Sequence, residues 1–224
     1  MKKIKDKTII DYSSKAIPIK NYVFKFFNKK TISEILKIGN DEYLYKTLYN
    51  ITKEDEFNKL YFKLVTHVAS SLEIKKFYYQ KIPSFRIQRS SQKSVNFHND
   101  VMYGHGDSVI NAWVPFCNIV QENSLWLLTD KDSKKIISNF KKEKQSISQL
   151  NLNAIKLSKP AILNQNQILI FKTKTLHGTK ENSSNSPRIS FDFRILENNM
   201  DPGNKSLKEF YTPSFSTNKI KINK

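Results

Sequence analysis

The sequence predicts a mainly β protein with its helices gathered at the N-terminal end, an α+β arrangement whose short strands close into a sandwich or barrel. Three observations predict it. From Asp55 to about Leu72, Phe57, Leu60, Tyr61, Leu64, Val65, Val68 and Ala69 recur at helical spacing and mark an amphipathic helix. After Leu72 the apolar period changes, and short β-rich runs separated by turn residues follow one another. The run from Arg188 to Leu196 alternates cleanly: Arg188, Ser190, Asp192 and Arg194 share one parity, and Ile189, Phe191, Phe193 and Ile195 the other.

Residues 1–30 mix Lys with Ile, Tyr and Phe and read as an irregular arm with a short strand or helix near Val23–Phe27. Thr31 followed by Glu34 three residues later has the form of a capping box and starts a helix. His67, on the long helix, reads as a structural or surface histidine. Strands are expected at 76–82, 85–89, 108–116, 123–128, 161–163, 167–171 and 188–196, with a surface helix from Asp132 to about Lys142. The expected organisation is an arm with supporting helices over 1–75, a β core over 76–199 and a basic tail or surface wrap over 200–224, all one globular unit.

The 224 residues are 38% hydrophobic and 12% aromatic, enough to bury a sizeable core. One cysteine, Cys117, excludes an internal disulfide framework and suits a reducing cytoplasm. No apolar run reaches the ~20 residues of a membrane helix, and the N-terminal residues lack the apolar core of a signal peptide. The formal charge of +18 comes from lysines scattered along the whole chain, with only four arginines: Arg86, Arg89, Arg188 and Arg194. Scattered lysine among Asn, Ile, Tyr and Phe reads as a compositional drift rather than a nucleic-acid footprint. A chain that meets most demands for positive charge with lysine keeps arginine where a planar fork matters.

The chemistry concentrates in a few positions. His98 and Asp100 are two apart, so on a strand, or a strand running into a turn, their side chains share a face. His177 is expected to end an apolar strand, with Gly178 turning the backbone after it. Two imidazoles and a carboxylate form the facial triad that holds Fe(II) and leaves open coordination positions. Arg188, eleven residues after His177, is suited to gripping a dicarboxylate, and with its apolar neighbours packed on the N-terminal helices it is expected to point into the barrel. An unpaired buried guanidinium is costly, so a bound dianion fits this placement. His105, between Gly104 and Gly106, reads as a flexible loop residue near the entrance that touches substrate. Arg86 and Gln88 share a strand face that reaches the same lumen.

His98, Asp100, His177 and Arg188, in that order and spacing, resemble the motif of the Fe(II)/2-oxoglutarate-dependent oxygenases of the phytanoyl-CoA dioxygenase-like superfamily, and in particular the small bacterial oxygenases of carbohydrate biosynthesis. The resemblance covers roughly residues 84–196. It implies a double-stranded β-helix (jelly-roll) core, Fe(II) held by His98, Asp100 and His177, and 2-oxoglutarate paired with Arg188 and helped by the hydroxyls of Ser190 and Thr179. It also implies that Asn111 and Trp113 line the cosubstrate pocket, that dioxygen takes an open iron position, and that a small polar or anionic metabolite is hydroxylated. Related halogenases carry a small residue where this chain has Asp100. Arg188 and Arg194, six apart, also resemble the arginine pair of AlkB-type nucleic-acid dealkylases, although the residues around His98–Gly104 do not. A catalytically silent jelly-roll protein that binds a sugar, and a nucleic-acid-binding module driven by charge, are the readings from other classes. Oligomeric state leaves no mark on the sequence.

Overall fold

The computed structural model describes residues 6–215. The first five residues of the expected arm and the last nine of the expected tail lie outside the described residues. In chain order the elements are β1 (Lys7–Asp11), α1 (Ile19–Phe26), α2 (Ile32–Leu36), α3 (Asp41–Ile51), α4 (Asp55–Ser71), β2 (Phe77–Gln80), β3 (Ser84–Gln88) and a 3-10 turn (Asp100–Tyr103). These are followed by β4 (Ile110–Pro115), β5 (Trp126–Leu127), α5 (Asp130–Lys142), α6 (Ile147–Leu157), β6 (Lys159–Pro160), β7 (Gln167–Lys172), β8 (His177–Gly178), β9 (Arg188–Glu197) and β10 (Tyr211–Pro213).

The helix starts follow their chemistry. Thr31 caps α2 with the reciprocal Glu34 contact expected of a capping box. Asn40 caps α3, and Thr129 and Ser146 cap α5 and α6 through hydroxyl oxygens that accept backbone N–H groups. The arm is more ordered than its composition suggested. Residues 7–11 form β1 because Ile10 and its neighbours pair with β7, and 19–26 form α1 because Ile19, Val23 and Phe24 bury one helical face.

All strand pairings are antiparallel. The larger sheet runs β1-β7-β4-β9-β2-β10, with β3 also paired to β9; the smaller runs β6-β5-β8. The long β9 organises the large sheet. On one flank it pairs with β4 over Ser190–Ile195, and on the other with β3 over Arg188–Asp192 and then β2 over Ile195–Glu197.

Strand parity divides the large sheet into two environments. One face carries Ile110, Ala112 and Val114 of β4, Ile168 and Ile170 of β7, and Ile189, Phe191, Phe193 and Ile195 of β9. All are buried against α1–α4 in one cluster that includes Phe57, Tyr61 and Leu64. Burying a Phe or Ile of this kind contributes about 1.5–3 kcal/mol. The other face carries Asn111 and Trp113, Leu169 and Phe171, and the polar residues of β9. Its apolar members join Leu127 of the smaller sheet and Leu125 just before it. The polar parity of β9 therefore faces the space between the sheets, where Arg188, Ser190, Asp192 and Arg194 are all buried.

Several expected boundaries move. The strand expected at 161–163 is the two-residue β6 at 159–160 followed by an isolated bridge between Ile119 and Leu163, because Pro160 cuts the ladder short. The strand expected at 123–128 shrinks to β5 at 126–127, since Asn123 and Ser124 spend their side chains on Ser186, Leu125 and Ala161 carbonyls. Residues 200–215 pack against the rest of the chain. Gly106 N–H donates to Pro202 O, Asn204 N–H donates to Gly104 O, and β10 closes the edge of the sheet on β2.

Candidate metal centre and its two cavities

His98 and His177 meet through the backbone before they meet through their rings. Each donates its N–H to the other's carbonyl, at 2.9 and 2.8 Å, as an isolated antiparallel bridge. The ring centroids are consequently 4.4 Å apart. Gly178 permits this approach: a Cβ there would sit 2.8 Å from the Phe97 Cα. Its role is clearance rather than the sharp turn expected from the sequence. His177 does not extend β7 but starts the separate strand β8, after a turn through Thr173–Leu176. Between His98 and Asp100 the extended chain runs into a turn, the second of the two expected placements. Asn99 caps a 3-10 turn that begins at Asp100 and swings the carboxylate back toward the imidazoles.

The result is one cluster in which His98, Asp100 and His177 each offer a ligand atom, all within 4.8 Å of one another. Hydrogen bonding decides which atoms those are. His98 Nδ1 lies 2.8 Å from the Asn96 carbonyl and His177 Nδ1 lies 2.9 Å from that of Thr175, so each Nδ1 carries the proton and each Nε2 keeps its lone pair. Asp100 Oδ2 accepts from Asn111 Nδ2 at 2.5 Å and from Arg194 Nη2 at 3.1 Å. Its Oδ1 faces His98 Nε2 at 3.6 Å and His177 Nε2 at 4.0 Å. Two nitrogens and one oxygen thus converge with free lone pairs, a donor set suited to Fe(II) or another first-row divalent ion.

The electrostatics favour the ligand forms of His177 and Asp100. Burial, with the neighbouring His98, lowers His177 to about 4. Burial alone would raise Asp100, but Arg194 and the two imidazoles outweigh it and hold the carboxyl well below its ordinary value. Arg194 is itself anchored by Asp192 Oδ1 at 3.2 Å and Gln80 Oε1 at 3.1 Å. The sequence puts Arg194 on the polar parity of β9 with Arg188 but does not name Asp100 as its partner.

Two cavities meet at this cluster and share Arg86, Ser94, Val95, His98 and Arg194 in their walls. The inner one runs between the sheets and is bounded by Asn111, Trp113, Leu125, Phe171, His177 and Arg188. Arg188 is 1% exposed. Its Nη1 donates to the Asn123 carbonyl, and its guanidinium carbon sits 5.1 Å from the centre of the Trp113 ring. Among the described residues no carboxylate reaches it and its Nε has no partner, and burial lowers its pKa to about 10. Ser190 Oγ, two residues along the same face, is also buried without a partner. The outer cavity, about 350 Å³, is walled by Tyr45, Ser84, Tyr103, His105 and Phe210 as well as the shared residues.

Three expected contributors sit elsewhere or differently. Thr179 Oγ1 is committed to the backbone, donating to Val95 O at 3.1 Å and accepting from the N–H groups of Ser94 and Val95, so it ties down a loop rather than facing the inner cavity. Gln88 donates to Lys180 O at 2.9 Å and Gln92 O at 3.3 Å; β3 has twisted it out of the cavity that Arg86 lines. His105 is no flexible loop residue. It is 6% exposed, bridges Gly203, and has its Nδ1 3.2 Å from the Tyr211 hydroxyl. The turns at 104–106 are packed beneath residues 201–204, which is why flanking glycines signalled close approach and not mobility. His67 holds the Asp11 carbonyl at 2.7 Å, a structural role as read.

No family model matches the chain. The streptomycin biosynthesis protein StrG of Streptomyces griseus is 24% identical over 137 residues, 60% of this chain. The chain spans about half the length of that curated relative, 54%. Among solved structures the chain is similar to the non-haem monooxygenase ThoJ in a nickel complex (TM-score 0.56, 12% identity, 88% of this chain and 76% of that one). It is similar to HygX from Streptomyces hygroscopicus with nickel and 2-oxoglutarate bound (TM-score 0.51, 9% identity, 88% and 85%). It is also similar to SnoK, a non-haem α-ketoglutarate-dependent carbocyclase from nogalamycin biosynthesis (TM-score 0.56, 11% identity, 90% and 84%). These likenesses show the fold, a mixed helical and antiparallel-sheet architecture shared with non-haem 2-oxoglutarate-dependent oxygenases. Among the described residues no helix is long and apolar enough to cross a membrane.

Proposed function

We propose that this chain is an Fe(II)- and 2-oxoglutarate-dependent oxygenase with a double-stranded β-helix core that hydroxylates a small, polar, carbohydrate-like molecule. The observation that carries the reading is Arg188: a fully buried guanidinium with no counter-charge, in a cavity that opens onto three convergent ligand atoms. A buried charge without an ionic partner costs several kcal/mol unless something pairs with it. A dicarboxylate that binds the ion at one end and the fork at the other removes that cost.

The residues present fit both groups. His98 Nε2, Asp100 Oδ1 and His177 Nε2 would hold the ion, and their other polar atoms are fixed by Asn96, Thr175, Asn111 and Arg194. Arg188 and the unpartnered Ser190 hydroxyl receive the far carboxylate, Trp113 supports the guanidinium, and Leu125 and Phe171 keep the cavity dry. When bound, Fe(II), 2-oxoglutarate and dioxygen supply the oxidation itself. The chain contributes position and exclusion of water, and the outer cavity, whose wall includes His98 and Asp100, would seat the substrate beside the ligand cluster.

The expectation of a carbohydrate-like substrate draws support from the likeness to a streptomycin biosynthesis protein. Hydroxylation is the outcome expected with the carboxylate ligand Asp100 in place. The lone Cys117 suits a cytoplasmic setting.

Anaerobic addition of Fe(II) and 2-oxoglutarate should produce a weak visible charge-transfer band, absent in His98→Ala. Fe(II)-dependent succinate formation without added substrate should be abolished by Arg188→Ala. Binding of 2-oxoglutarate with neither band nor succinate would instead make this a non-catalytic ligand-binding jelly roll.

A further inference from the structure

Three of the four arginines already have a place in the structure or in the oxygenase reading. Arg89 donates to Asp41 at 2.8 Å and to the Leu36 and Gly39 carbonyls, tying α2 and α3 to β3. Arg194 is charge-paired with Asp100 and Asp192 and bonds Gln80, and Arg188 is sealed at the end of the inner cavity, where the cosubstrate is placed. Arg86 is different. It lies in the wall common to both cavities with 39% of its side chain exposed. Its contacts are an ion pair with Asp192 at 3.7 Å and a 3.4 Å bond to its neighbour's carbonyl, at the limits of what such contacts contribute. In a chain that fills nearly every other basic position with lysine, a planar fork aimed into open cavity space calls for a bidentate partner.

Charge balance points the same way. The two cavities hold three guanidiniums and two carboxylates, Asp100 and Asp192. A divalent ion and a doubly charged cosubstrate cancel each other, so one positive charge remains for the substrate side. Around that charge stand Tyr45, Tyr103 and Phe210, which offer flat faces, and Ser84 and Ser94, which offer hydroxyls. We propose that the outer cavity receives a hydroxylated ring bearing an acidic group, carboxylate or phosphate, and that Arg86 grips the acid. This deepens the oxygenase reading and rests on it in taking the outer cavity as the substrate's. It also predicts rejection of amino sugars, because no unpaired carboxylate lines the cavity among the described residues.

Calorimetric titration of the full chain with glucuronate, glucose 6-phosphate, methyl glucoside and glucosamine tests it, both metal-free and loaded with Mn(II) plus 2-oxoglutarate. The two acids should bind about tenfold more tightly than the neutral glycoside, with glucosamine weakest. Arg86→Gln should bring acids and glycoside to equal affinity, and Arg86→Lys, which keeps charge but loses the fork, should fall between. Whichever acid binds tighter identifies the acidic group. Equal affinities in the wild type, no binding by any of the four at millimolar concentration, or an acid preference that survives Arg86→Gln overturns the proposal. A separate titration of the wild type with Mn(II) and 2-oxoglutarate alone reports on the oxygenase reading. Its failure leaves the metal-free acid preference to be judged on its own, and its success beside a missing preference rejects only the role of Arg86.

Discussion

Arg194 and Arg188 lie on the same face of β9, six residues apart and equally sealed from water, yet their surroundings are opposite. Arg194 bonds two carboxylates and an amide oxygen, and although burial alone would lower its pKa, Asp192 and Asp100 raise it above the ordinary value. Arg188 bonds one backbone carbonyl and rests on an indole, and its pKa falls to about 10. One end of the strand is a network finished in charge, with only the Arg194 Nε left unpartnered, and its job is to aim a carboxylate. The other is left incomplete at a cost in stability, as expected of a place kept for a ligand. Burial alone does not separate a structural charge from a receptive one; the state of its partners does.

The comparison is most severely tested at Asp100. Asp100→Ala removes a ligand and one of the two carboxylates that balance Arg194, so metal binding should vanish and stability should fall by about 3 kcal/mol in urea unfolding. A loss of metal without loss of stability would break the claim that the Arg194 end is structural. Arg188→Met should do the reverse. The protein should be as stable as the wild type or about 1 kcal/mol more so, while affinity for 2-oxoglutarate in the Mn(II)-loaded protein falls about 100-fold. Marked destabilisation in Arg188→Met would show that its end of the strand is also a finished network.

The pH dependence sharpens the picture for the metal-free chain. Burial drives His177 to about 4, below the 6.5 of an unfolded histidine. Between those values the unfolded chain binds more protons, so stability is fully present above pH 6.5 and is lost as pH falls toward 4. The slope is at most about 1.4 kcal/mol per pH unit from this residue. His105, depressed in the same way, adds to the loss. Urea midpoints measured from pH 7 to 4.5 should therefore decline, and saturating Zn(II) should suppress the decline while it holds His177 deprotonated. A flat profile in the metal-free chain contradicts the burial argument. The smallest effect belongs to Thr179→Val. Losing the hydroxyl that holds residues 94 and 95 should cost about 1 kcal/mol and leave 2-oxoglutarate affinity unchanged; a large loss of affinity would return Thr179 to the cosubstrate.

The parts legible in the sequence were those with strong local period or sharp chemistry. The alternation of β9 placed Arg188 inward and its apolar partners on the helices, as found. The capping box at Thr31 and the long apolar stripe of α4 were equally plain. The sequence reading passed over α3 and α6, although Leu44, Leu48 and Ile51 keep helical spacing and Asn40 and Ser146 are good caps; short, Tyr- and Asn-rich segments dilute the signal. The strands β1 and β10 were missed for another reason. Lys7–Asp11 pairs with residues some 160 positions away, and no local pattern encodes a partner that distant. For the site, residue identities were readable but hydrogen-bond allegiance was not. Nothing in the string says that Thr179 serves Val95, that Gln88 serves Lys180, or that Arg194 serves Asp100.

The mutual backbone pairing of His98 and His177 has a consequence for the ion itself. Because the main chain already sets the two imidazoles side by side, the frame stands ready-built and an arriving cation need not order it. Little of its affinity is then spent on assembling ligands, and little geometric selection is left to favour iron over its row neighbours. Nickel or copper would seat more firmly in such nitrogen and oxygen company, following the general ranking of these ions. What fills the pocket in a living cell is thus governed by which metal is on offer, and a preparation's history decides what the purified protein carries.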